Sequence, residues 1–123
     1  MDMDLTGGYL ENTDAGSEIR IDDIVMQFCV QPGTLLEVDA QIAVNAEEVA
    51  SDIDITLSLQ RNMQMPKLAS SRAKSNGLIE SLSLVYSEFV ADAPANFQLL
   101  LVNASNDTVK VLAKQAQVRV KLY

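Results

Sequence analysis

The chain has 123 residues, 48% of them apolar, and a formal charge of -8 with no histidine. Its size suits one domain, which at this length buries roughly two thirds of the surface its unfolded form exposes. The acidic balance excludes nucleic acid and anionic membrane surfaces as partners, since both require a positive footprint, and the longest apolar run, residues 99–102, is far shorter than the ~20 residues of a membrane-spanning helix.

Residues 1–22, rich in glycine and acidic groups, read as an extended attachment segment in front of a domain at 23–123. The opening Met1-Asp2-Met3-Asp4 lacks the basic start and apolar stretch of a secretory signal, which points to synthesis in a cytoplasm. A strand is expected over 24–30, with Cys29 as a buried, inert thiol between Phe28 and Val30. Gln31-Pro32-Gly33 then supplies a turn.

The segment 36–44 alternates strictly, with Leu36, Val38, Ala40, Ile42 and Val44 on one face and Glu37, Asp39 and Gln41 on the other. Such a period of two is the mark of a strand with one buried side. Residues 45–51 make one short helical turn at most. Alternation returns at 53–60, where Ile53, Ile55, Leu57 and Leu59 share a face. Asn76-Gly77 tolerates positive φ and predicts a tight hairpin joining a strand at 67–73 to one carrying Leu82, Leu84 and Tyr86. Further strands are expected at 96–102, 108–113 and 117–122, separated by turns at Ala93-Pro94 and 104–107. The pattern predicts an all-β, two-sheet antiparallel sandwich of about eight to ten strands without substantial helix. Its expected core is Leu36, Val38, Ile42, Ile55, Leu57, Leu59, Leu82, Leu84, Phe97, Leu99, Leu101, Val118, Val120 and Leu122.

One strand breaks the alternation. Phe97, Leu99 and Leu101 form one face, yet Leu100 and Val102 make the opposite face apolar too, so both sides should be out of water. Either the chain's own loops or a neighbouring copy covers the outer side; in the second case Leu100 and Val102, joined by Tyr123, are the expected oligomer interface.

The chemistry for catalysis is missing. Without histidine, the commonest general base and metal ligand is absent and a serine or cysteine nucleophile lacks its usual partner. Asp52 and Asp54, expected on one strand face, are spaced for acid/base work or calcium, but they lack the loop spacing of calcium ligands and, like Asp22-Asp23 and Glu47-Glu48, read as solvated. No catalytic residue, metal site or cofactor is expected. Asn103-Ala104-Ser105 and Asn106-Asp107-Thr108 match a glycosylation pattern that arises readily in such turns.

Charge is unevenly distributed. Residues 1–54 hold thirteen acidic side chains and one base, Arg20, whereas 55–123 hold four acidic and eight basic ones. Halves of net -12 and +4 attract one another between copies. The basic concentration at Arg61, Lys67, Arg72 and Lys74 has no interleaved aromatics and reads as a solvated face or an acceptor for a neighbour's acidic half.

The order of motifs, from Gln31-Pro32-Gly33 into 35–44, then Leu57-Ser58-Leu59-Gln60-Arg61-Asn62, 82–89, 97–103 and the closing 118–123, resembles the jelly-roll heads of the complement globular-head and tumour-necrosis-factor superfamily. Leu35 stands where that family usually has an aromatic residue. The resemblance covers about residues 24–123 and implies a two-sheet jelly roll that forms a homotrimer. Related jelly rolls occur as small trimeric parts of bacteriophage particles. The resulting expectation is a virion structural protein, a capsid decoration or fibre-type trimer, made in the host cytoplasm and held to other virion proteins. A receptor- or carbohydrate-binding fibre head and a secreted tumour-necrosis-factor-like ligand are the alternatives.

Overall fold

The computed structural model describes residues 2–4, 18–19, 23–62, 67–75, 77–105 and 109–123. The described residues form nine strands: β1 (Asp2–Asp4), β2 (Glu18–Ile19), β3 (Asp23–Val30), β4 (Thr34–Asn45), β5 (Ile55–Arg61), β6 (Ala69–Ala73), β7 (Ile79–Val90), β8 (Ala95–Asn103) and β9 (Val109–Leu122). One sheet runs β1-β9-β4-β7 with β2 also on β9, and the other runs β3-β8-β5-β6. Every pairing is antiparallel. Apart from β5 and β6, neighbouring strands in both sheets are non-consecutive, so the chain crosses repeatedly between layers, the winding of a jelly roll.

Alternation places the core. Leu36, Val38, Ala40, Ile42 and Val44 of β4 are buried and face Ile55, Leu57 and Leu59 of β5 and Phe97, Leu99 and Leu101 of β8 across the sandwich. Leu82, Leu84, Val118 and Val120 complete the same cluster, while Leu122 packs against it half-buried. At one end Phe97, fully buried, stacks on Phe28 with ring centroids 5.6 Å apart, and the Arg61 guanidinium lies 5.8 Å from the Phe97 centroid.

The structure departs from the sequence reading at four places. The segment 67–73 does not form a hairpin with 82–86. Instead β6 pairs with β5, and β7 joins β4 in the other sheet. Gly77 does have positive φ (79°), but its N–H donates to the Ala46 carbonyl, so the turn serves a crossing between layers. The expected strands 108–113 and 117–122 are one strand. Its ladder with β4 shifts between Gln41, opposite Gln117, and Ala43, opposite Leu112, a bulge that lets a long strand bend without ending. Thr108 and the turn residues 106–107 lie outside the described residues. The segment 1–22, read as lying outside the domain, supplies β1 and β2 to the edge of β9. Cys29 is exposed, because β3 turns Phe28 and Val30 inward and alternation sends the residue between them to solvent.

Gly33 opens β4 from a turn at positive φ (85°) and donates its N–H to the Val90 carbonyl at 2.7 Å. No side chain adopts that conformation without strain. At the far end of the chain Tyr123 and Leu35 exchange two backbone hydrogen bonds of 3.0 and 3.2 Å, which carries the β4–β9 ladder one pair past Leu122.

Candidate assembly face

The two outer faces of the sandwich differ. Outside the β3-β8-β5-β6 sheet, Ser58, Gln60, Gln98 and Leu100 are all buried. Outside the β1-β9-β4-β7 sheet, large apolar groups are open to solvent: Val85 is 76% exposed, Phe89 59% and Tyr123 58%.

Register arranges this second face in rows. Phe89 stands opposite Leu35, which in turn neighbours Tyr123. The next row places Ser87, Glu37 and Lys121 side by side, and the one after it Val85, Asp39 and Arg119. A shallow groove of about 330 Å³ lies among Glu37, Asp39, Val85, Ser87, Arg119 and Lys121. The Tyr123 hydroxyl reaches the Glu37 carboxylate at 3.4 Å. Apolar residues beside cross-strand pairs of opposite charge form a surface suited to another protein: the apolar groups supply the driving force, and the charges fix orientation.

Of the residues expected at an interface, Tyr123 lies on this face. Leu100 lies on the opposite sheet, where it is only 6% exposed in the single chain, and Val102 beside it is half-buried. The desolvation of Leu100 therefore needs no neighbouring copy. Val85 and Phe89 were not singled out by the sequence reading. Their signal was the one read in 96–102: apolar residues at both odd and even positions of a single strand.

Away from this face, two ion pairs form among the described residues. Arg61 pairs with Glu88, and the Tyr86 hydroxyl donates to the other Glu88 oxygen at 2.6 Å. Burial, followed by that hydrogen bond to a carboxylate, pushes the Tyr86 phenol up to about 12. A phenol whose folded pKa is raised contributes stability that is full below the unfolded value of about 10 and is lost as pH climbs through the folded one. Tyr86→Phe is expected to cost about 1 kcal/mol at neutral pH and to remove the part of alkaline destabilisation that falls between pH 10 and 12. Urea midpoints of both proteins across that window check it.

Arg72 grips Asp54 through two hydrogen bonds of 2.8 and 2.7 Å, which hold the Asp54 carboxyl below its ordinary range. Asp52 is exposed, and both Asp52 and Asp54 precede β5, so the carboxylate pair does not share a strand face. Lys67 is half-buried and Lys74 exposed. Asn103 is buried, and its Oδ1 accepts from the Ser105 N–H at 2.9 Å, so this half of the glycosylation pattern is closed to modification. Among the described residues no group of three or more Cys, Asp or Glu gathers to hold a metal ion.

The strand order defines the chain as a two-sheet jelly-roll sandwich. No family model matches the sequence, and no curated protein matches it. Among solved structures it is similar to the crystal structure of rabbit GITRL, with 17% identity, coverage of 88% of this chain and 78% of that one, and a TM-score of 0.44.

Proposed function

We propose that this chain is a structural subunit without catalysis: a jelly roll that assembles as a homotrimer through the outer face of its β1-β9-β4-β7 sheet and attaches to other structural proteins of a virion. The observation that carries the assembly is the open apolar set Val85, Phe89 and Tyr123 beside paired charges of both signs. A closed ring joins two different regions of each subunit. The apolar β7 side and the charged β9–β4 side of this face supply two such regions. The acidic first half, net -12, provides the attachment surface for a basic partner on the particle. In this reading the protein is made in the host cytoplasm and functions in the assembled virion.

Absolute mass by light scattering, over a range of concentrations at low and high salt, tests the assembly. The expected result is about 40 kDa, for three copies of 13.4 kDa. A mass of one copy under all conditions overturns the proposal.

A further inference from the structure

We propose that β1 is an exchangeable strand: in the assembly, residues 2–4 of one copy pair with β9 of a second copy, so that each β9 edge is completed by a neighbour's acidic strand. This inference rests on the reading that copies of the chain assemble.

The register carries the argument. Asp2 stands opposite Lys121 and Asp4 opposite Arg119, while farther along the same edge Glu18 stands opposite Lys110. From the other side of β9, Glu37 and Asp39 of β4 stand opposite the same Lys121 and Arg119. Each of these two bases therefore sits between an acidic residue of β4 and one of β1. The edge of β9 is thus a site for a short, extended, acidic strand running antiparallel to it. Cross-strand pairs of opposite charge contribute roughly 0.2–1 kcal/mol each, so three paired residues hold β1 only lightly.

Connector length leaves β1 free to choose its partner. Because of the bulge in β9, Arg119 and Lys110 stand opposite Asp39 and Asn45, only six steps apart on β4, about 20 Å at strand spacing. The chain from Asp4 to Glu18 takes fourteen steps, with an extended reach of roughly 46 Å. The surplus of roughly 26 Å is more than five times the ~4.8 Å between neighbouring strands. Exchange gains and loses the same backbone hydrogen bonds, so the choice between a chain's own β9 and its neighbour's is set by effective concentration. β1 is also the edge of the sheet whose outer face is proposed to join the copies. Assembly there brings a second β9 within reach, and exchange leaves no β9 edge uncovered.

A cross-linking experiment on the full chain tests this. In a Cys29→Ser background, one chain carries Asp2→Cys and another carries Lys121→Cys. Register partners lie at Cα separations of about 4.5–5.5 Å, which suits a disulfide. Both chains are mixed at a concentration where light scattering shows assembly, oxidised, and separated by non-reducing denaturing electrophoresis with mass spectrometry. Exchange predicts a covalent heterodimer containing one of each. A third chain carrying both substitutions then yields covalently linked copies up to the size of the ring.

If the third chain closes only on itself and the mixture gives no heterodimer, while the mass in solution stays that of the trimer, exchange is overturned and assembly stands. A third chain that forms no cross-link at all removes the register and the proposal with it. A single-copy mass before oxidation overturns both readings.

Discussion

Replacing Val85 with aspartate is expected to lower the mass in solution from three copies to one while leaving the fold of each copy intact. Val85 is 76% exposed in the single chain and contributes almost nothing to the core. Surface substitutions of that kind usually change stability by less than about 0.5 kcal/mol. The interface responds differently. Val85 stands opposite Asp39, so the new carboxylate meets a like charge within its own row. On association it also has to leave water without a partner, at a cost of several kcal/mol. A penalty of about 3 kcal/mol corresponds to more than a hundredfold in the dissociation constant. Light scattering reads the mass, and circular dichroism through a thermal melt confirms the fold. A trimer that persists at micromolar concentration places the interface elsewhere.

Phe97→Ala is expected to have the largest effect on stability, about 3–5 kcal/mol. Its ring is fully buried and stacked on Phe28. It hangs from β8, which is flanked on both sides by β3 and β5. That backbone cannot move in to fill the space, so most of the cavity remains. Against a total of roughly 5–15 kcal/mol for a domain, the loss removes a large share of the stability. Phe28→Ala, at a half-buried position on the edge strand β3, should cost about half as much. The two losses together should depart from additivity by about 0.5–1.5 kcal/mol, the scale of an aromatic pair. Denaturant titrations of the four proteins in the cycle measure both terms.

How much of this was legible in the sequence depended on the range of each signal. Alternation is local, so it placed β4 and β5 and predicted which side chains fill the core. Leu36, Val38, Ile42, Ile55, Leu57 and Leu59 are all buried. The Asn76-Gly77 pair carried the shape of a turn but not its destination. A glycine at positive φ serves a hairpin or a crossing between layers equally well, and only the tertiary ladder of β6 on β5 decides. Residues 108–122 were read as two strands because a bulge interrupts alternation in the same way as a turn does.

The assembly face was the least legible part. A strand that is apolar on both sides states that both are dry, but not whether the chain or a neighbour does the drying. Leu100 is covered by its own chain, whereas Val85 and Phe89 carry the same pattern and are open. Tyr123 lies on the face because the β4–β9 ladder runs one pair beyond Leu122, which no local pattern announces.

The position of β9 bears on how the chain acquires its shape during synthesis. Of the described strands β9 is made last, yet it lies in the interior of its sheet, between β4 on one side and the two strands made first, β1 and β2, on the other. Until those fourteen residues emerge, β1 and β2 have no ladder to join, and β4 shows one bare edge. Pairings between strands so distant in the chain are slow to form, and bare edges are where unfinished chains stick together. The jelly roll thus stays incomplete until β9 has been made and closes in one late, cooperative step. A holdase chaperone, or translation slow enough to keep nascent chains apart, should raise the yield of folded protein more than any single core substitution.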